Sequence, residues 1–416
     1  MARDTVIVVG AGHIGIACAH YLARDGYDVT VIDQHQVGGA CSQANCGYLA
    51  ADHVLPLTQP GQLGKAFTSL FRPRAAFRIR PQLRPELLRW LAAFGRRCTR
   101  RHMLAAAEVL HALLDATMHE YRSLLADPRL ASEWQDKGLL YVFESERALG
   151  AFAETDALLT REFGVTANFI RSDDLAAFEP ALREGLAGAY HSDICGHVRP
   201  DRLNASWSAM LADEGVTFVE HCRLDHIVRS GASIDALATT QGSMQADRYV
   251  FATGAWSRRW QEALQCSIPV EPGKGYSVTM TRPESMPAYP MLFPEKHVGV
   301  TPYADGLRIA SMMEFAGFDT SIPRFRIRQL QRSARPFLRN PTGPAIEERW
   351  YGWRPMTWDS LPIIGRLPSL SNALIATGHN MLGLTLAPVT GKLVADLVSE
   401  RATDLPLDAV SVERFG

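Results

Sequence analysis

The amino-terminal stretch through Asp33 constrains the fold of this chain more than any other segment. Thr5–Val9 (TVIVV) is β-branched and apolar without alternation, the pattern of a strand buried on both faces. It runs into Gly10-Ala11-Gly12-His13-Ile14-Gly15 and then a helix-like stretch to about Arg24, whose Ile16, Ala19, Tyr21, Leu22 and Ala23 suit packing on a sheet. Gly26 closes that helix, and DVTVI (Asp28–Ile32) reads as a second strand ending at Asp33. Strand, GxGxxG, helix, strand and acid in register are the parts of a dinucleotide-binding βαβ unit. Gly10 makes the tight turn, Gly12 admits a pyrophosphate to the backbone, and Gly15 lets the helix close on the strand. Free N–H groups at the helix start suit the phosphates. Asp33 can accept both ribose hydroxyls, and it disfavours the 2′-phosphate of NADP. A glycine-rich turn without a ligand is the plain alternative, and the ordered strand, helix and acid leave it little room.

Composition narrows the class. A chain of 416 residues buries roughly three quarters of its unfolded surface, so disulfides and metals are not needed for stability. Lys+Arg 43 against Asp+Glu 44 argues against a dedicated nucleic-acid binder. No apolar run approaches the ~20 residues of a membrane span. The seven cysteines are scattered and form no CxxC, so neither a disulfide framework nor a zinc site is suggested. The amino terminus reads as a strand entering a turn rather than a signal peptide, and a cytoplasmic location is expected.

The glycine loop cannot choose between NAD and FAD. After Asp33 the chain does not continue as a regular βαβ series. It gives Gln34-His35-Gln36-Val37-Gly38-Gly39-Ala40-Cys41-Ser42-Gln43-Ala44-Asn45-Cys46-Gly47-Tyr48, small residues that can lie flat along an extended ligand. A surface loop is the other reading of that segment.

GAGHIG, Asp33 and SQANCG resemble the FAD-binding amino terminus of the D-amino acid oxidase and glycine oxidase superfamily. Three later stretches agree: DRYVFATGAWS (Asp247–Ser257), GWRPMTWDSLPIIG (Gly352–Gly365) and ATGHNMLGLTLAPVTGKLVADL (Ala376–Leu397). The resemblance spans the whole chain and is nearest to the bacterial D-amino acid dehydrogenase branch, including D-hydroxyproline dehydrogenases. It implies an α/β fold in which a Rossmann-type FAD-binding domain is interrupted by an α+β substrate domain with an antiparallel sheet. We expect the first at 1–60, 195–260 and 351–416, and the second at 61–194 and 261–350. It also implies noncovalent FAD held by Gly10, Gly12, His13, Ile14, Gly15, Asp33, Gln34, Cys41, Ser42, Asn45, Cys46, Gly47, Tyr48, Leu224, Thr253, Gly254, Trp256, Gly378, His379, Leu382, Gly383, Leu384 and Thr385.

The later motifs have their own physics. RYVFA (Arg248–Ala252) reads as a buried strand and Thr253-Gly254-Ala255 as a tight turn. Leu374–Ala376 is a further strand, followed by GHNMLG and a helix expected from about Leu384, with Leu386, Val389, Leu393, Val394 and Leu397 at helical spacing. A helix start aimed at the isoalloxazine would favour negative charge on the N1–C2=O edge of reduced flavin. An ordinary strand–loop–helix crossover is the alternative. Between these segments we read a helical region at 83–130, a strand at Gly138–Phe143, three strands within 267–316 and a helix around 323–338.

Oxidising an amino acid needs a carboxylate anchor, and the planar fork of arginine suits it. By family position that anchor is Arg354, with a structural salt bridge as the alternative. Hydride would pass from Cα to flavin N5. Met313 and Tyr48 are expected near the substrate by family position, although a strand methionine is commonly core. Tyr276 and His53 are further candidates that can equally satisfy local backbone. The substrate is then a small amino or imino acid, with a quinone, a partner flavoprotein or oxygen as electron acceptor.

Departures from relatives bear on the reading. Met381 stands where glycine oxidase has arginine and Gly299 where it has tyrosine, which argues against that enzyme. Sarcosine-type oxidases carry flavin on a cysteine of the substrate domain; Cys266, the one cysteine in 223–416, lies in no such motif. Trp358 and Ser360 replace the proline and glycine common in the dehydrogenase pattern, and Trp358 is a candidate to narrow the pocket. Between Lys65 and Arg101 lie eleven basic residues and one acid, Glu86, with an apolar stripe of Leu83, Leu87, Trp90, Leu91 and Phe94. This stripe faces a core or lies on a membrane surface; both readings stand at this point.

Overall fold

A computed structural model of the chain describes residues 3–62, 64, 75–82 and 84–416. Thr5–Val9 is the fourth strand of a six-stranded sheet, ordered Ile363–Leu367, Leu370–Thr377, Arg248–Phe251, Thr5–Val9, Asp28–Ile32, Thr217–Val219. All neighbours are parallel except the first two, which form an antiparallel hairpin. The unbroken apolar run of the first strand follows from its setting. Val6 and Val8 pack into a cluster with Ile16, Leu22 and Val394, whereas Ile7 and Val9 pack with Ile234, Leu237 and Phe251 on the other face. Burying each such side chain contributes about 1.5–3 kcal/mol.

The first face carries the helices His13–Arg24 and Ala387–Val398. They approach closely because Gly391 has no side chain: a Cβ there would fall 2.6 Å from the carbonyl carbon of Ala17. The helix Arg100–Leu124 buries Ala106, Leu110, Leu113, Leu114 and Tyr121 in that same cluster. This segment falls within 61–194, expected to build the substrate domain, yet its apolar stripe belongs to the nucleotide-side core. A three-stranded antiparallel sheet, Leu224–Ser230, Ser233–Thr239 and Gly242–Met244, covers the other face.

The second sheet has nine strands. Along it run Ile346–Thr357, Val270–Thr281, Gly306–Phe315, Val298–Pro302, Met291–Phe293, Leu139–Phe143, Gly188–Ser192 and Asn168–Arg171. Phe77–Ile79 adds beside Met313–Phe315, and this pairing and that of Met291–Phe293 with Leu139–Phe143 are parallel in an otherwise antiparallel sheet. Ile346–Thr357 pairs along nearly the whole of Val270–Thr281. Arg354 therefore sits on this sheet, on the far side of the boundary expected at 350.

Three local differences have physical causes. The region expected as one helical block splits into Pro85–Arg97 and Arg100–Leu124, because Thr99 caps the second helix by accepting from His102 N–H at 3.2 Å. The carboxy-terminal helix begins at Ala387, with Pro388 in its first turn, rather than at Leu384; turns occupy 383–386. The basic stretch at 65–74, with Leu83, lies outside the described residues. Of its stripe, Leu87 and Trp90 are buried, and Trp90 donates Nε1–H to Pro269 O at 2.9 Å and packs on Phe315. The described part of the stripe therefore faces a core.

Candidate active site

The two sheets meet around one cavity of about 450 Å³. Its lining includes Gly10, Gly12, His13, Ile14, Asp33, Gln34 and Leu224 together with His53, Leu292, His297, Gly299, Ser311 and Arg354. Gly10 has φ +112°, and a Cβ on it would fall 2.9 Å from the Ala252 carbonyl carbon. Only glycine fits that turn. Gly15 does not line the cavity; a Cβ there would lie 2.9 Å from the carbonyl carbon of Gly10, so it serves the close packing of helix on turn. Asp33 is fixed from both sides, Oδ2 accepting from Ala11 N–H and Oδ1 from His35 N–H, each at 2.8 Å.

The segment after Asp33 does follow the cavity. Cys41, Ser42, Asn45, Cys46, Gly47 and Tyr48 all line it. Several elements hold the segment: Ser42 Oγ accepts from His13 N–H at 3.0 Å, Asn204 Nδ2 donates to Ser42 O at 3.2 Å, and Arg308 Nη1 donates to Asn45 O at 3.2 Å. Thr301 Oγ1 donates to Cys46 O at 2.5 Å and Tyr48 OH to Met291 O at 2.6 Å. Burial pushes the Cys41 thiol up to about 11 and raises Cys46 as well, so both stay protonated.

Thr253, Gly254 and Trp256 follow the strand Arg248–Phe251 into the cavity wall, and Trp256 stacks on Phe318. Thr253 Oγ1, Ser257 Oγ and Thr377 Oγ1 form a hydroxyl chain, with steps of 2.8 and 2.7 Å, that joins the ends of two neighbouring strands. Leu382, Gly383, Leu384 and Thr385 also line the cavity. Tyr121 OH donates to Leu384 O at 2.6 Å and Thr117 Oγ1 to Thr385 O at 2.7 Å, satisfying those carbonyls from the long helix. Among the described residues, the N–H groups of Gly383, Leu384 and Thr385 have no acceptor, and neither do those of Gly12 and Ile14. Two sets of free donors, one at the start of His13–Arg24 and one in the turns that precede Ala387–Val398, fit a ligand with a pyrophosphate and a second electron-rich edge. That is the donor set FAD requires.

Gly378, at φ +71°, does not line the cavity but shapes the turn before His379. His379 lines the cavity with its ring engaged elsewhere, Nε2 lying 2.9 Å from Thr390 Oγ1. Burial lowers its pKa to about 3, and that of His13 to about 4, so both imidazoles are neutral.

Arg354 lines the cavity, and among the described residues no carboxylate lies within ion-pair distance of it. Its Nη1 donates to Met312 O at 2.8 Å. Tyr48 and His53 share the lining, but Tyr276 and Met313 do not. Tyr276 is on the opposite face of its strand, its hydroxyl donating to Glu314 Oε2 at 2.8 Å within a buried charge cluster. Met313 packs with Trp90, Phe315 and Met356. Trp358 also stays out of the cavity, between Arg97 and Phe415. The residues that sequence reasoning missed include Leu292, His297, Ser311, Trp353 and Asn380. Asn380 carried a signal, lying inside GHNMLG; its N–H donates to Pro355 O at 3.1 Å and ties this loop to the Arg354 strand. Ser311 carried none, because its placement depends on a bulge in the strand.

A parallel sheet ending on a glycine turn, free donors at one helix start and in the turns before a second helix, and an adjoining cavity with an arginine that has no carboxylate partner among the described residues are the features of a flavoprotein oxidoreductase. A family model described as "FAD dependent oxidoreductase" (DAO) matches residues 5–397, and the chain belongs to that family. D-amino acid dehydrogenase from Vibrio atlanticus is 33% identical over 418 residues, covering 99% of both chains. The protein of that name from Neisseria meningitidis is 31% identical with the same coverage. Among solved structures, glycine oxidase from Bacillus cereus superposes with a TM-score of 0.77 at 19% identity, covering 98% of both chains. L-proline dehydrogenase from P. horikoshii gives 0.73 at 19% identity, covering 99% of this chain and 98% of that one. The fold and the FAD dependence expected from the sequence both stand.

Proposed function

We propose that this FAD-dependent oxidoreductase is a dehydrogenase of D-amino acids or cyclic imino acids, such as D-proline or cis-4-hydroxy-D-proline, oxidising the Cα–N bond. The observation that carries the reading is Arg354, a guanidinium without a carboxylate partner in the cavity that continues from the dinucleotide turn. Its fork is suited to an α-carboxylate. FAD, when bound, supplies the hydride acceptor. The chain's own residues then have defined tasks. Arg354 anchors the carboxylate, Tyr48, His53 and Leu292 bound the space beside it, and the free N–H groups of Gly383, Leu384 and Thr385 favour negative charge on the facing edge. The neutral imidazole of His379, committed to Thr390, takes no proton. The names and identities of the D-amino acid dehydrogenases support the substrate class and the dehydrogenase outcome.

The test is an anaerobic absorbance titration of the purified holoprotein with a panel of D- and L-amino acids, D-proline and cis-4-hydroxy-D-proline included. Bleaching by a D-isomer and not its L-partner supports the reading, and its absence across the D-panel overturns it. Slow recolouring on admitting air marks a dehydrogenase; fast recolouring with hydrogen peroxide marks an oxidase. A contact of the 65–101 region with anionic membrane belongs to the same proposal. On Pro85–Arg97 it would use the exposed Arg89, Arg96 and Leu88, the last 60% exposed, and lack of cosedimentation with anionic vesicles removes it.

A further inference from the structure

The side chain of Arg354 crosses three strands. It starts on Ile346–Thr357, where Arg354 pairs with Gly273 and Gly352 with Gly275. Its guanidinium lies over Gly275 of the middle strand, where a Cβ would fall 2.6 Å from Cζ and 2.7 Å from Nη2. It ends at the carbonyl of Met312 on the third strand, 2.8 Å from Nη1. That carbonyl is available because the third strand is irregular at this point. Pairing with Val270–Thr281 shifts between Lys274–Glu314 and Tyr276–Ser311, and Met312 adopts φ +67°. A methionine in the left-handed region inside a buried strand is a bulge held against its local preference. Strain of this kind is characteristic of positions fixed for function.

We infer that Gly275 and the Met312 bulge are positioning elements for the substrate carboxylate: the glycine leaves the slot in which the Arg354 guanidinium lies, and the bulge carbonyl engages Nη1. With Nη1 held by the protein, the Nη2 side of the fork is left for the carboxylate. The three atoms nearest a Cβ at Gly275 all belong to the flexible end of Arg354, so a side chain there displaces the arginine before it disturbs the sheet. Neither element touches the substrate, and both act through Arg354. The inference therefore rests on Arg354 being the carboxylate anchor.

A double-mutant cycle on the holoenzyme tests it. Gly275→Ala should raise KM for the amino acid, and the Kd of benzoate read from the flavin absorbance, by at least about tenfold, the scale of a displaced charge-assisted hydrogen bond. The kcat should stay within about threefold, since uniform binding is what is lost. In an Arg354→Ala background the same change should have no further effect on benzoate affinity. Its effect on the melting temperature should also shrink there, because the clash is gone. Equal effects in both backgrounds, or benzoate affinity unchanged by Gly275→Ala alone, overturn the inference. If Gly275→Ala fails to fold, folding of the double variant supports the slot and failure of both overturns it. Should Arg354→Ala itself leave benzoate and substrate affinity unchanged, the anchor reading fails, and the cycle identifies that failure separately.

Discussion

Nε2 of His379 lies 2.9 Å from Thr390 Oγ1, which ties the loop beside the cavity to the helix that follows it. The ring is buried and its pKa falls to about 3; burial likewise takes His13, His20 and His197 to about 4, from an ordinary 6.5. Between those values and 6.5 the unfolded chain holds protons that the folded chain does not. Stability from these neutral histidines is therefore complete above about pH 6.5 and is lost as pH drops toward the folded values. Each contributes up to about 1.4 kcal/mol per pH unit in that window. The urea midpoint should be flat from pH 8 to 7 and fall steeply between 6.5 and 4.5. His379→Gln, whose amide can still meet Thr390, should lessen the slope; a midpoint independent of pH down to 5 contradicts this account.

Arg354→Ala should raise KM for the amino acid by about a hundredfold, the loss of a charged, bidentate contact, while the flavin absorbance of the purified protein is retained. Arg354→Lys should recover part of that loss, since a point charge replaces the fork. Steady-state kinetics identical to the parent protein would remove the assignment.

Asp33 accepts N–H groups with each of its oxygens, from Ala11 and from His35. In Asp33→Asn one of these donors faces an amide N–H₂. The glycine turn should loosen, and FAD affinity should fall about tenfold or more, measured by fluorescence of flavin released on dilution. Retention of FAD equal to the parent protein would show that the turn holds without the acid.

Ser360 adopts φ +66° in a buried turn, and its Oγ has no hydrogen-bond partner among the described residues. Both features cost free energy, and both vanish in Ser360→Gly, offset in part by the greater freedom of glycine in the unfolded chain. A net gain of about 1 kcal/mol in urea unfolding is expected. A loss would mean that the hydroxyl is satisfied in solution.

The nucleotide half was legible because its signals are local. Gly10, Gly12 and Gly15 are spaced by the turn they make, and Asp33 ends the strand adjacent to it. Arg354 was found by resemblance, since its own sequence setting, GWRP, says nothing of a missing side chain at Gly275. Tyr276 and Met313 illustrate the limit. Which face a strand residue takes depends on register, and one bulge at Ser311–Met312 turns Ser311 into the cavity lining and Met313 into the core with Trp90. Leu292 reaches the site on a strand paired with the distant Leu139–Phe143, and His297 in the turn that follows that strand, neither of which a short window reports. The helix Arg100–Leu124 was legible only as part of a helical region assigned to the substrate domain, and nothing local in it tells which of two cores its buried residues join.

The order of strands in the six-stranded sheet also governs how the protein is made. Thr5–Val9 lies between a neighbour complete by Ile32 and another that begins at Arg248, and the sheet is finished only by Leu370–Thr377. On a ribosome adding 5–20 residues per second, the first strand emerges roughly 20–70 s before the last of its sheet has been synthesised. The glycine turn therefore exists for most of translation without the Ala252 carbonyl against which it packs. Chains interrupted anywhere before the final strand lack a complete nucleotide-binding sheet.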